Sequence, residues 1–429
     1  MGKRLFSKTG ELIQFNFRRN RLGLVVWLVA LIAVSVLIAQ AFQSAFSTSL
    51  ERASMAETMK NPAMIAMVGP ATGASHYTVG AMMGQQMLLF TAIVVAIMNI
   101  LIVTRSTRAN EEDGGLELIH SLPVGRLANL LSTMLTMLFV NILLALGTGF
   151  GLTLLGISSL DLNGSLLYGM CLGGTGFFFA AVTALFAQLC ESSRGTVSFS
   201  LLILGLSYLV RAVGDVSHEM LSWFSPLGWI LKVEVYVNNY WAPILLVIST
   251  AIIISLAACY LSSIRDLAAG YLPTFSGRKQ ATSWLLSPFG LVLRLQRTAL
   301  ISWFLGLVVL GASYGSVFGN LESFFKDNAL VKQLLSSGSH LSFTEQFVAT
   351  LMSILAIISA IPALMLVLKM KSEERKNRME HLLTRAISRF KVMFSYLIFA
   401  ILISFIMLFA AVLGFTCSDD KSNCFSYLF

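Results

Sequence analysis

Groups able to do chemistry are few in this sequence, and one stretch gathers most of the acidic ones. "RANEEDGGLELIHSLPVGR", Arg108 to Arg126, holds Glu111, Glu112, Asp113 and Glu117 within seven positions, between two long apolar runs. Enzyme signatures are missing. No G-x-x-x-x-G-K-S/T phosphate loop is present, so the chain does not bind nucleotide that way itself. Neither H-E-x-x-H nor a paired-Cys metal spacing occurs. His120 lies in the acidic stretch; His76, His218 and His340 are scattered. Cys171, Cys190 and Cys259 fall in or beside apolar runs and read as packing residues. Arg211 and Asp215, in "YLVRAVGD", stand four apart. They pair along a helix face, or Arg211 snorkels. Asn99, Asn141 and Gln188 interrupt apolar runs. They line a cavity or lock helices together, interhelical bonding being favoured.

The elements that must position these residues are membrane helices. Of 429 residues, 56% are hydrophobic and 12% charged, against about a quarter charged in an ordinary soluble chain. Mean hydropathy is +0.79. Long apolar runs recur at approximately 22–44, 86–104, 127–155, 166–189, 196–214, 241–264, 299–318, 346–368 and 392–415. Each suffices to cross about 30 Å of hydrocarbon. The pattern predicts an all-α polytopic membrane protein of nine spans. No alternation of the kind a β-barrel strand requires is seen.

With the N-terminus inside, 23 of the 30 Lys and Arg face the cytoplasm. The +9 net charge follows from that rule and not from nucleic-acid binding. This places a multi-pass protein in a bacterial-type cytoplasmic membrane, its N-terminus and the acidic stretch inside. Ahead of the first span, Leu12, Ile13, Phe15 and Phe17 alternate with polar residues and a basic cluster, predicting an interfacial elbow helix and a sharp turn into the bilayer. Outside, residues 45–85 form a Met-rich loop with a helix ended at Gly69-Pro70. "SPLGWILKVEVYVNNYW" is too apolar for an ordinary loop and too short to cross; it suits a re-entrant or interfacial hairpin.

The chain also echoes itself. "FRRNRLGLVVWLVAL" (17–31) matches "LRLQRTALISWFLGL" (293–307), with Arg18/Arg294, Arg21/Arg297 and Trp27/Trp303 in register. The acidic stretch aligns with 373–389, where Glu111/Glu374, Glu117/Glu380 and Arg126/Arg389 coincide. A parallel repeat needs an even number of spans per unit, and six lie between the two starts. The expected organisation is a first six-span half (1–264), a linker with a second elbow helix (265–298), an incomplete second half of three spans (299–415) and a polar tail (416–429).

Mid-span ionisable groups of the kind an ion-coupled carrier uses are essentially missing. Uphill transport would therefore draw on a partner. In the acidic stretch, either Asn110 caps a helix whose first turn holds Glu111, Glu112 and Asp113, or span 2 continues inward to about Asp113. Gly114-Gly115 permits a bend. Leu116, Leu118, Ile119 and Leu122 make an apolar strip, and Pro123 stops the helix. Acids are repelled by an anionic leaflet, so this helix reads as a protein-docking element.

These features resemble the membrane subunit of a type-2 ABC exporter, and more narrowly the permeases that export polyketide antibiotics and multiple drugs. Four stretches carry the resemblance: the elbow, "RANEEDGGLELIHSLPVGR", "YLVRAVGD" and "SPLGW". It implies a coupling helix at 111–123, built on Glu111, Glu112, Asp113, Leu116, Glu117, Leu118, Ile119, Leu122 and Pro123. That helix would seat in a separate ABC ATPase subunit, present as two copies, which holds ATP and Mg. The chain itself would carry no cofactor and move hydrophobic drugs or antibiotics outward. A second, more basic coupling element would include Glu373, Glu374, Glu380, Leu382 and Leu383. The family plan has twelve spans; the tail "GFTCSDDKSNCFSYLF" suggests a premature end. The alternative expectation is a truncated, non-transporting membrane protein, or a sensor or scaffold module.

Overall fold

Four interruptions in an otherwise apolar chain set where its helices begin and end: caps, prolines, glycines and isolated charges. The computed structural model describes residues 6–73, 76–266, 269–272, 280, 285, 287–327, 343–375 and 388–418. Among the described residues there is no strand, and nine helices are long and apolar enough to cross a membrane. The chain is an all-α polytopic membrane protein. It forms two compact units, Met1–Phe275 and Ser276–Phe429.

In the first unit, α1 spans Thr9–Ala45. Two short helices follow, α2 (Ser49–Met59) and α3 (Pro62–Val68). Thr48 and Glu51 close a capping box on α2. Gly69, at φ 109°, ends α3, and a Cβ there would stand 2.7 Å from Leu231. Next come α4 (Val79–Glu112), α5 (Gly115–His120), α6 (Ala128–Thr153), α7 (Leu162–Leu189) and α8 (Ser193–Val216). The unit closes with α9 (Glu219–Ser222), α10 (Pro226–Leu231) and α11 (Ala242–Ile264). Asp161 caps α7, Ser192 caps α8 and Ser225 caps α10.

The core of this unit is α7, with α4, α6, α8 and α11 packed around it. Glycines let α6 come close: a Cβ at Gly173 would meet the Asn141 carbonyl at 2.6 Å, and one at Gly169 would collide with that of Ala145. Early in α4, a π-helical turn at Met83–Met87 buries Gln85 and Gln86. Tyr77 donates to Gln85 at 2.5 Å and accepts from Gln86 at 3.2 Å, so neither amide is stranded.

The second unit holds α12 (Pro288–Asp327), α13 (Phe343–Arg375) and α14 (Arg389–Ser418). Its core is Val292, Leu307, Leu355, Leu366, Tyr396 and Met407 with their neighbours.

Three expectations are corrected. The elbow does not turn: α1 runs unbroken from Thr9, and α12 from Pro288, through the basic residues into the apolar run. Nothing in "ELIQFNFRRNR" breaks a helix. Span 2 starts at Val79 rather than 86 and continues to Glu112. The 225–241 segment is not a hairpin but α10 followed by tight turns, with Glu234, Tyr236 and Asn239 at positive φ. Leu227, Ile230, Val233 and Val235 bury its apolar content against the bundle.

Candidate functional site

The acidic stretch continues α4, and most of its chemistry turns inward. Arg108 is 2% exposed. It donates to Glu111 at 3.0 Å, to the Ala269 carbonyl at 3.3 Å and to the Glu191 carbonyl at 2.7 Å. Arg265, the first residue after α11, grips both Glu111 carboxylate oxygens at 2.9 and 2.8 Å. Both contacts come from the one nitrogen Nη2, a charge-assisted pair, while Nη1 donates to the Ala269 carbonyl. The Arg265 carbonyl in turn accepts from Arg126. Glu112 accepts from the Ser193 backbone N–H at 2.8 Å and its hydroxyl at 2.5 Å. A carboxylate at a helix N-terminus satisfies an orphan donor and the helix dipole together. One pair of adjacent acids thus holds the start of α8 and the end of α11 to the end of α4.

The N-terminal segment joins the same assembly. Arg19 donates to Asn110 at 3.0 Å, Asn20 to Ser106 at 3.4 Å and Ser7 to the Pro123 carbonyl at 3.1 Å. Asn110 therefore receives Arg19 and does not cap a helix, and the helical stretch of α4 reaches Glu112 with a break at Thr107. Gly114, at φ 74°, turns the chain from α4 into α5.

The predicted apolar strip is split. Leu116 is buried and Ile119 half-buried, whereas Leu118 and Leu122 are 73% and 60% exposed. Asp113, Glu117 and Pro123 are exposed with them. Of the nine residues expected in one coupling face, Glu111 and Leu116 face inward and Glu112 is occupied by Ser193. The reason is charge: Arg108 and Arg265 are buried cations that need a carboxylate between them.

Beneath the assembly is a cavity of about 40 Å³, lined by Thr107, Leu116, Arg126, Asn129, Gln188 and Ser262 among others. That is room for about three waters. Gln188 does not lock helices: its amide donates only to Ala184 of its own helix, at 3.3 Å, and its carbonyl oxygen has no partner among the described residues. Nearby, burial pushes the Cys190 thiol up, against the pull of the Arg108 charge.

Other predicted residues lie apart from this site. Asn99 and Asn141 bond to each other across α4 and α6, at 2.8 and 3.2 Å. Both are buried, and each also bonds its own helix backbone. At the opposite end of the bundle Arg211 is fully buried. It pairs with Asp215 at 3.3 Å and donates to the Ile65, Ala66 and Met67 carbonyls at 3.4, 2.8 and 3.3 Å. These carbonyls lie in the last turn of α3, where helix carbonyls run out of partners within the helix, although that of Ile65 also accepts from the Gly69 N–H at 2.9 Å. Tyr208 lies under the guanidinium, 4.7 Å from its centroid, and donates to Met67. Arg211 does not snorkel. On the same side, Lys232 holds the Glu219 carboxyl below its ordinary range.

Of the second coupling element, Glu373 is buried and Glu374 exposed near the end of α13. Glu380, Leu382 and Leu383 lie outside the described residues. Arg108, Arg265 and Ser193 are functional partners that sequence reasoning did not single out. The i,i+3 spacing of Arg108 and Glu111 is a readable signal; a bridge from Glu111 to Arg265 is not.

Comparison with known proteins adds family membership. The family model described as "Multidrug efflux system permease Rv1217c, C-terminal domain" matches residues 11–261 and 285–422. The multidrug efflux system permease protein Rv1217c of Mycobacterium tuberculosis (strain ATCC 25618 / H37Rv) is 35% identical over 404 residues. The match covers 92% of this chain and 72% of that protein. The family model covers the α4 residues of the assembly and the Arg211 cluster, and on these two matches the chain belongs to the family of the multidrug efflux permease Rv1217c.

Proposed function

We propose that this chain is the permease subunit of an ATP-binding-cassette exporter that moves hydrophobic drugs or antibiotics out of the cell. ATP and Mg are held by a separate ATPase subunit, two copies of which sit under the permease on the cytoplasmic side. The observation that carries the proposal is the outward face of α5. Leu118 on this short helix and Leu122 just after it stand exposed, as do Asp113 and Glu117, while the root of the stretch is bolted into the bundle. Covering each leucine would contribute about 1.5–3 kcal/mol, and the acids select a basic protein cleft over an anionic leaflet. The family relationship supports a transport role, and the resemblance to type-2 exporter permeases supplies the ATPase partner. Apolar cargo suits a bundle whose buried charges are paired with each other and not lined up as a relay.

The test is co-expression with the ABC ATPase encoded nearest its gene. We expect capture of the ATPase by the tagged permease and ATP-dependent ethidium efflux that needs both chains. Glu117→Lys with Leu118→Asp should reduce capture and efflux by about tenfold or more at unchanged membrane level. Efflux that ignores the ATPase, or survives the double substitution intact, overturns the proposal.

A further inference from the structure

The helix α8 is gripped by polar contacts at both of its ends. At its start, the Ser193 N–H and hydroxyl are held by Glu112. Near its other end, Arg211 holds the Ile65, Ala66 and Met67 carbonyls in the last turn of α3. Ser193 and Arg211 stand eighteen positions apart in continuous helix, a rigid distance of about 27 Å. Apolar helix contacts are non-directional and permit sliding, whereas hydrogen bonds are directional and fix register. Along its middle α8 is largely exposed and carries few buried residues, Ser200, Leu204 and Ser207 among them.

We infer that α8 is a transmission rod, with Glu112 as the positioning residue that links the ATPase-facing α5 to α3 at the opposite mouth. This rests on the ATPase-driven reading above. Asp113 and Gly114 alone separate Glu112 from α5, so a displacement of α5 reaches Glu112 through one turn of chain. Glu112 passes it to α8 as an axial or lateral shift, and Arg211 passes it to α3. In this scheme Glu112 does not touch the ATPase, although it lies in the same acidic stretch as Glu117. The two ends of the rod provide the contiguous physical connection that coupling between distant sites requires.

The test uses the full complex of permease and ATPase in proteoliposomes, with Met64→Cys as a reporter on α3 and the parent chain as labelling background. In the otherwise native chain, ATP should change the rate of maleimide labelling at position 64 by about threefold or more. Glu112→Ala should keep ATPase capture and hydrolysis within about twofold, cut ethidium efflux about tenfold and abolish the nucleotide response at position 64. Ser193→Pro removes both donors to Glu112 at a position where proline is suited to a helix start. It should reproduce the effect, and the two together should be no worse than either. If Glu112→Ala reaches the membrane at less than half the native level, Ser193→Pro decides alone. A native nucleotide response in either stable variant overturns the inference, as does loss of ATPase capture by Glu112→Ala, which would make it a docking residue. Efflux that needs the ATPase while position 64 never responds sinks the rod and spares the exporter reading. Absence of capture and of ATP-dependent efflux in the unaltered chain sinks the exporter reading itself.

Discussion

Asn99 and Asn141 exchange hydrogen bonds inside the bundle, and Gly176 on α7 faces the pair so closely that a Cβ would stand 2.6 Å from the Asn99 amide nitrogen. Removing one partner strands the other in an apolar interior. Asn141→Ala should lower stability by about 1–2 kcal/mol, read as a lower Tm in detergent with the fold retained. Unchanged Tm would mean the pair adds nothing beyond its own backbone bonds. At this scale the sequence is partly legible. Asn99 and Asn141 stand out because amides are rare in apolar runs, yet nothing in their spacing says they meet 42 positions apart. Gln188 stands out equally and bonds only its own helix. Arg265 is hidden because every first charge after a span looks like a topological anchor. Its partner Glu111 lies 154 positions earlier.

At the scale of elements, the apolar runs give each span's existence, and polar helix formers hide its ends. α1 and α12 continue where a turn was expected, because a basic residue does not stop a helix. α4 continues past its apolar run to Glu112, where Gly114 supplies the left-handed turn. Local signals read short elements better: Gly69-Pro70 ends α3 as expected, and Thr48 with Glu51 is a capping box that the sequence reading passed over. What no local signal shows is that α3 is tied down from α8. Replacing Arg211 by Met together with Asp215 by Asn removes the tie without leaving a buried charge unpaired. The double variant should leave the bundle folded and release α3, so that limited proteolysis cuts within residues 60–73 at least fivefold faster, roughly 1 kcal/mol of local opening. Cleavage at the native rate would assign the anchoring of α3 to its apolar contacts instead.

For the molecule as a whole, composition and run length suffice for an all-α membrane fold, and the excess of Lys and Arg suggests which side is which. That orientation is open to direct measurement. Leu50, 73% exposed on α2, and Asp113 lie at opposite ends of the bundle if α1 and α4 each cross once. Leu50→Cys should react with a membrane-impermeant maleimide in intact cells, and Asp113→Cys only after permeabilisation. The reverse pattern would put α5 outside and remove its access to any cytoplasmic ATPase. Docking itself could be read from the acidic stretch only as a tendency. Folding divides that stretch between inward and outward duties, and the division depends on Arg108 and Arg265 being buried beside it.

The encirclement of α7 has a consequence for how the protein is made. This helix is wrapped by α4, α6, α8 and α11, so it carries glycine, threonine and serine where a lipid-facing helix would carry leucine. Two of its neighbours, α4 and α6, leave the ribosome before it; α8 and α11 leave after. Until Ala242–Ile264 has been synthesised, the flank at Gly174 that packs on Ile244 and Val247 has only lipid or an insertion chaperone to face. Biogenesis therefore has a vulnerable interval between the fourth and sixth spans, and quality control would find its first target there.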